Sequence, residues 1–281
     1  MMFLRAILEY DFMQRALVAA LLSSMVCGVL GSYIVIRRGS YMVGAFSHSL
    51  LGGIGFARWC QVVCGIAWFT PMLGATLTTV LVSCLLTWLT VRGNAREDTV
   101  LSGIWTVGVA IGLCFIAWIP GYAEDLNSYL FGNILLVSRA DLVVMSLLTG
   151  ILLPVSWLFH SRFLVLCFHR ESLYLRGVSP TGVSLVLNLL TGLAVVVLSQ
   201  MVGIVMVLAL LVLPTAAASK LTTRLSRMML LGGLFCFLSC LLGMFVSYTW
   251  NIPMGAITIL CCALLYLGVR RKPVPSGMEK G

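Results

Sequence analysis

The chain of 281 residues is 60% hydrophobic, only 10% of its residues are charged, and its net charge is +9. An ordinary soluble domain is about 45–50% apolar and about 25% charged, so this chain has too few polar residues to cover a water-facing surface. The composition excludes a soluble enzyme, a disordered protein and a fibrous repeat, and it predicts a polytopic membrane protein.

Nine apolar segments follow one another along the chain, and about 20 apolar residues are enough to span a bilayer as a helix. They predict an all-α membrane helix bundle of about nine transmembrane helices, with a range of roughly eight to ten. We expect a single transmembrane domain over 1–272 and a short cytoplasmic tail over 273–281. The segments are 12–36, 40–57, 61–91, 99–119, 140–159, 181–199, 201–218, 228–249 and 252–269.

Two parts of this pattern are irregular. Residues 40–57 are short and rich in glycine, so we expect them to pack inside the protein rather than face lipid. The pair 181–199 and 201–218 is either a hairpin broken near Ser199 and Gln200 or one distorted helix. Small residues also recur at four-residue spacing, which predicts close helix packing; they are Ser24, Gly28 and Ser32, and Gly108 and Gly112.

Basic residues predict the orientation, because cytoplasmic loops carry an excess of lysine and arginine. All but four of the 18 fall on one side of the nine segments, and the exceptions are Arg5, Arg15, Arg58 and Arg139. The N-terminus is then outside and the C-terminus inside. The first apolar run reaches full spanning length without a small-residue cleavage site, so we expect no cleavable signal peptide. The ten cysteines fall mostly in apolar segments and are interpreted as small hydrophobes.

Three catalytic motifs are absent from the sequence. It contains no Gly-Lys-Ser/Thr for a phosphate-binding loop, no His-Glu-x-x-His for a zinc protease and no Gly-x-Ser-x-Gly for a serine hydrolase. Energy for transport against a gradient must therefore come from a partner chain or from an ion gradient.

His48 is the only histidine predicted to lie within the membrane. It follows Arg37 and Arg38, which end the first helix at the inner surface. Ionisable residues at membrane depth usually line a pathway, and neutral imidazole is a common ligand of transition metals. The pattern favours metal or proton handling by His48, and a histidine hydrogen-bonded within the bundle is the alternative.

Five motifs then follow one another along the chain. They are RR and SHSLLG within 37–52, REDTVLSGI at 96–104, DLNSYLFGNIL at 125–135, GIVMV and LPTAAA within 203–218, and NIPMGA at 251–256. Together they resemble the permeases of the zinc, manganese and iron ABC importers, the family served by cluster A-I metal-binding lipoproteins.

The resemblance implies a bundle like those of type II ABC importers, in the bacterial cytoplasmic (inner) membrane. The permease itself performs no bond chemistry. Its implied partners are a separate ABC ATPase subunit, a periplasmic or lipoprotein metal-binding protein and a second permease subunit, as a homodimer or a heterodimer; no nucleic acid is involved. The transported ion is divalent zinc, manganese or iron, and no cofactor is bound permanently.

The resemblance also implies a metal site, which is usually an Asp and a His four residues apart on the second span. This sequence has the histidine as His48 but has Gly44 at the aspartate position. Either another residue supplies oxygen or sulfur, with Cys27, Met42 and Cys114 as candidates, or the ion passes with weaker coordination. Imidazole without a carboxylate leans slightly toward zinc, because manganese prefers oxygen ligands.

The inner loop 160–180 predicts a short surface helix ending at Gly177. The resemblance implies that this is the coupling helix that docks on the ATPase, with Phe168, Arg170, Glu171 and Gly177 as the coupling residues; His169 and Leu173 depart from the family's usual residues. A solvated charged loop is the alternative. On the outer side, docking or gating is expected of Glu124, Asp125, Asn127 and Tyr129.

Three other functions are alternatives to a metal permease. An ion-coupled secondary transporter requires acidic residues within its spans, but the sequence has none in the middle of a predicted span. A membrane enzyme is disfavoured by the missing motifs. A non-transporting assembly factor predicts an inner loop that binds no ATPase.

Overall fold

The computed structural model of the chain describes residues 9–91, 96–119, 137–168, 171–250 and 252–269. All regular secondary structure in these ranges is helical, so the predicted all-α class is confirmed. The described helices are α1 (Asp11–Ile36), α2 (Ser40–Val62), α3 (Pro71–Val91), α4 (Glu97–Ala117), α5 (Arg139–Leu158), α6 (His160–Phe168), α7 (Glu171–Leu175), α8 (Pro180–Val202), α9 (Ile204–Leu221), α10 (Leu225–Trp250) and α11 (Met254–Gly268).

Each of the nine predicted segments coincides with one helix, α1 to α5 and α8 to α11. Seven of these, α1, α3, α4, α5, α8, α9 and α10, are long and apolar enough to cross a membrane. The predicted number of spans is therefore not confirmed by the described residues. Helix α2 is diluted by glycine and serine, and α11 has 15 residues, roughly 22 Å of helix against a hydrocarbon core of about 30 Å.

The boundary between the second and third segments differs from the prediction. Helix α2 continues to Val62, beyond the expected end at residue 57, and α3 begins only at Pro71, not at residue 61. The chain turns between them through Gly65, whose φ of 69° is readily adopted only without a side chain. Pro71 then starts α3 at a position where its missing N–H costs nothing.

Gly203 separates the two predicted segments 181–199 and 201–218 into two helices. This residue separates α8 from α9 and has a φ of 90°. Its N–H donates to the carbonyl of Ser199, and its own carbonyl accepts from the N–H of Val207, so the same residue ends one helix and starts the next. The two segments are consecutive helices.

Helix α2 lies in the interior of the bundle, as its composition predicts. Its packing against α4 depends on glycine: a Cβ on Gly108 would come within 2.6 Å of the Cα of Ser49, and one on Gly55 within 2.8 Å of the carbonyl oxygen of Gly112. The two backbones therefore touch along this crossing, as in other small-residue helix pairs in membranes.

Close packing at glycine also joins α1 to α10. A Cβ on Gly28 would lie 2.6 Å from the carbonyl oxygen of Met229 and 2.8 Å from the nitrogen of Gly233. The predicted role of Gly28, Gly108 and Gly112 in close helix packing is confirmed. Of these two crossings, the one with α4 fixes the position of α2, which carries His48.

Candidate functional site

His48 lies near the middle of α2 and is half-buried. Its imidazole stacks on the indole of Trp105 in α4, with ring centroids 4.4 Å apart and ring planes inclined by 14°. Within the described part of the chain, neither ring nitrogen makes a hydrogen bond. The lone pair that binds a metal lies in the plane of an imidazole ring, so the stack covers a face of His48 and leaves its metal-binding edge open.

Gly44 stands one helical turn before His48, at the position where the family resemblance implies an aspartate. The space beside it is filled by the same indole, because a Cβ on Gly44 would lie 2.6 Å from Cζ3 of Trp105 and 3.1 Å from its Cε3. Trp105 thus covers both positions of the expected metal pair. Trp105 could not be singled out from the sequence, because nothing in the local sequence of α4 signals its contact with α2.

The described residues contain no group of three or more His, Cys, Asp and Glu side chains arranged to hold a metal ion. Of the alternative ligands, Cys27 is buried against Cys236 of α10, Met42 is buried in the core, and Cys114 is exposed on α4. A site built on one imidazole binds weakly. Weak binding suits a conduit, because an ion that enters must also leave.

A charged contact lies at the N-terminal end of α4. The guanidinium of Arg37, just after α1, donates a 2.8 Å hydrogen bond to the carboxylate of Glu97 at the start of α4. It also donates to the Asn188 side-chain oxygen of α8 at 3.2 Å. The sequence predicts Arg37 at the inner surface, but nothing in it indicates the contact with Glu97.

A row of buried polar side chains continues from this contact along the interface of α3 and α8. Asn188 donates to the hydroxyl of Thr87 at 3.0 Å. Thr79, Ser83 and Thr87 follow at four-residue spacing on one face of α3 and are all buried. The hydroxyl groups of Thr79 and Ser83 find no partner among the described residues. Polar groups therefore extend from Arg37 into the interior of the bundle.

The predicted coupling residues lie on the segment between α5 and α8. Phe168 ends α6 with 62% of its surface exposed, and Glu171 begins α7. Arg170 lies outside the described residues. Leu175, at the end of α7, is 90% exposed. The segment thus presents large apolar side chains outside the helices that are long enough to span.

The predicted helix end at Gly177 is confirmed. Gly177 has a φ of 67°, and its N–H donates to the carbonyl of Tyr174 at 3.0 Å. The N–H of Val178 donates to the carbonyl of Leu173, also at 3.0 Å. This pair of bonds is the Schellman arrangement, in which a left-handed glycine satisfies the last carbonyls of a helix. The outer residues Glu124, Asp125, Asn127 and Tyr129 lie outside the described residues, and their roles stay predictions.

Comparison with known proteins identifies the family. The sequence model of a family described as the ABC 3 transport family matches residues 9–271 of the chain. The chain belongs to the ABC 3 transport family. The family consists of transport permease subunits, as the resemblance of the sequence motifs implied.

Proteins with similar sequences match nearly the whole chain. The "Probable metal transport system membrane protein" of Chlamydia trachomatis is 32% identical over 242 residues, which is 86% of this chain and 82% of that protein. The "Manganese transport system membrane protein MntC" of Halalkalibacterium halodurans is 32% identical over 264 residues, 94% of this chain and 88% of that protein.

A solved structure shows the same fold. The structure described as PsaBC from Streptococcus pneumoniae in complex with Fab matches with a TM-score of 0.81 and 26% identity, over 95% of this chain and 93% of that one. The arrangement of helices in this member of the ABC 3 transport family is therefore also that of an experimentally determined relative.

Proposed function

We propose that this ABC 3 permease imports a divalent transition metal, Zn²⁺, Mn²⁺ or Fe²⁺, across the bacterial inner membrane, with His48 as a transient ligand on the path. The proposal rests on the surroundings of His48. Its ring is held by Trp105, its nitrogens are without hydrogen bonds to the described residues, and it lies on a buried helix. Relatives named for metal and manganese transport support a metal as the cargo.

Transport requires partners that hydrolyse ATP and deliver the ion. In the proposed cycle, an outer metal-binding protein passes the ion to a dimer of permease subunits, and two ATPase subunits bind the inner segments. Phe168, Arg170, Glu171 and Gly177 form the ATPase contact. The exposed side chains of Phe168 and Leu175 support this assignment, because contact with a partner would remove that apolar surface from water.

The outer side of the permease receives the metal-binding protein. Glu124 and Asp125 attract the cation or a basic edge of that protein, and Asn127 and Tyr129 serve in docking or gating. We propose nine spans, with α2 and α11 crossing inside the assembly, the N-terminus outside and the C-terminus inside. The single permease domain covers 1–272, followed by the tail at 273–281.

The rival function is an ion-coupled secondary transporter, which needs acids within its spans. Two acids near helix starts already have structural partners. Glu97 pairs with Arg37, and Asp141 forms a capping box with Ser138, accepting 3.0 Å and 2.7 Å bonds from its N–H and hydroxyl. Energy from ATP is therefore favoured over energy from a proton or sodium gradient.

The test is uptake of Zn²⁺, Mn²⁺ and Fe²⁺ into proteoliposomes that contain this permease with its ATPase and its metal-binding protein. We expect ATP-dependent uptake of at least one metal and its loss in His48→Ala. Trp157→Phe is the matched control, since Trp157 is 82% exposed on α5 and is not part of the path.

The outcomes separate the transport function from the site. Unchanged uptake in His48→Ala would refute the ligand role of His48 and leave the permease function standing. Absence of ATP-dependent uptake for all three metals, with the complex intact by size-exclusion chromatography, would refute metal import. Uptake that follows an imposed proton gradient without ATP would favour the secondary transporter.

A further inference from the structure

One indole covers two consecutive turns of α2. The benzo edge of Trp105 lies against Gly44, where a Cβ would meet Cζ3 at 2.6 Å, Cε3 at 3.1 Å and Cη2 at 3.2 Å. The face of the same ring lies parallel to the imidazole of His48 at 4.4 Å between centroids. Because real Cβ atoms do not approach carbon to 2.6 Å, a side chain at 44 and the observed position of Trp105 exclude each other.

The ring that fills this space is rigid. An indole has no flexible end that could bend away, so it can make room for a Cβ at Gly44 only by moving as a whole, which disturbs the stack with His48. Gly44 and Trp105 therefore act as one unit. The absence of a side chain at 44 is what allows the indole to lie on the imidazole.

The stack has two chemical consequences for His48. It limits rotation of the imidazole about its terminal torsion, which is otherwise broad, without occupying the in-plane lone pair that binds a metal. It also places the neutral benzo ring of the indole where a carboxylate at 44 would supply a hard oxygen ligand. Imidazole suits zinc, whereas manganese favours carboxylate and water.

We propose that Trp105 is a positioning residue for His48 and that the Gly44–Trp105 pair determines metal preference, by keeping a second, oxygen-bearing ligand out of the site. This inference rests on the proposed function, because it assumes that His48 meets the ion. It assigns to the wild-type permease a preference for zinc over manganese at this step.

The experiment measures competitive uptake of Zn²⁺ and Mn²⁺ in the same proteoliposomes, with one batch of ATPase and metal-binding protein for every permease variant. Trp105→Phe keeps an aromatic ring, Trp105→Leu fills the space without one, and Trp157→Leu is the control on an exposed tryptophan. We expect Trp105→Phe to stay within about twofold of wild type and Trp105→Leu to lose about three- to tenfold of its zinc uptake, the factor that corresponds to one aromatic pair.

The second part of the experiment replaces the indole beside His48 with a carboxylate at position 44. Gly44→Asp alone displaces the indole, so we expect reduced zinc uptake. In Gly44→Asp/Trp105→Ala the carboxylate has room beside His48, and we expect the ratio of manganese to zinc uptake to rise at least about tenfold over wild type. In Trp105→Leu, a purely structural role for Trp105 would lower the uptake of both metals together and leave their ratio unchanged.

Two results would overturn the inference while the proposed function stands. One is wild-type uptake and metal ratio in Trp105→Leu, together with loss of uptake in His48→Ala; the other is full tolerance of Gly44→Asp with Trp105 in place. If Trp105→Leu does not assemble, Gly44→Ala decides the question, because its methyl group displaces the indole while the tryptophan is retained. No ATP-dependent uptake by the wild type would instead refute the proposed function itself.

Discussion

Arg37, one residue beyond the end of α1, holds the carboxylate of Glu97 at the start of α4 in a 2.8 Å ion pair. Helix α4 also carries Trp105, which covers His48, so one helix connects the candidate site to the charged contact. The contact places the end of α1 and the start of α4 on the same side of the bundle, as the predicted orientation requires. A movement of α4 would therefore shift both Trp105 and Glu97.

The first prediction concerns this ion pair. Arg37 is 11% exposed and Glu97 is 35% exposed in their side chains, so removal of one partner leaves a poorly solvated charge. We expect Glu97→Gln and Arg37→Gln each to destabilise the permease by about 1–3 kcal/mol, below the roughly 3–5 kcal/mol of a fully buried pair. Thermal unfolding in detergent measures the change.

The matched control is the pair of Arg139 and Asp11, which are 3.6 Å apart and 84% and 73% exposed. Asp11→Asn should change stability by less than about 1 kcal/mol, as is usual for surface pairs. Equal effects of Glu97→Gln and Asp11→Asn would show that the Arg37 contact is merely a surface pair.

The second prediction tests the glycine-dependent crossing of α2 and α4. A Cβ on Gly108 would lie 2.6 Å from the Cα of Ser49, whereas a Cβ on Gly103, also in α4, would meet nothing within 4 Å. We expect Gly108→Ala to destabilise the protein by about 1–3 kcal/mol through overpacking. Gly103→Ala should be neutral or stabilising by up to about 1 kcal/mol, since alanine favours the helix. Thermal unfolding of the two variants measures these changes. Equal unfolding midpoints would contradict the close packing of α2 against α4.

The third prediction concerns the cap at Gly177, whose φ is 67°. A side chain in this conformation costs roughly 1–2 kcal/mol, and asparagine tolerates it better than alanine. We expect Gly177→Ala to reduce metal-stimulated ATP hydrolysis by the assembled transporter several-fold, with partial recovery in Gly177→Asn. Gly150→Ala, in the middle of α5 with open space around it, is the control. Normal stimulation in Gly177→Ala would separate the cap from coupling.

The fourth prediction tests the orientation of the chain. Cys64 is exposed in the turn between α2 and α3, which the proposed topology places outside, and Cys236 is fully buried in α10. In variants that retain one cysteine each, a membrane-impermeant maleimide added to intact spheroplasts should label Cys64 and leave Cys236 unlabelled. Labelling of Cys64 only after the membrane is opened would invert the topology.

The fifth prediction follows from Cys167 in α6, where burial raises the pKa of the thiol to about 11 although the nearby Arg37 lowers it. The thiolate is the reactive form, so a raised pKa leaves little of it at neutral pH. In opened membranes, alkylation of a variant that retains only Cys167 should rise about tenfold per pH unit from pH 7 to pH 10. A rate that levels off near pH 8.5–9, about the ordinary pKa of a thiol, would show that the thiol is not desolvated.

Much of the fold follows from the order of apolar segments. Each of the nine segments became a helix, because a chain with so few polar groups must satisfy its backbone internally. The boundaries of α2 and α3 were predicted less well. Their ends depend on the left-handed turn at Gly65 and the start at Pro71, and an apolar turn between two apolar helices leaves no mark in hydropathy.

The sequence by itself determined the helical membrane class, the choice of His48 as the candidate residue within the membrane and the helix end at Gly177. These depend on composition and on spacing within one helix or turn. Only the tertiary structure decided what stands beside His48 and what Arg37 holds. Trp105 and Glu97 come from another helix, and Trp105 reaches His48 because glycines on both helices let α2 and α4 approach until backbones touch. Such an approach is a property of two surfaces together, so neither segment shows it alone.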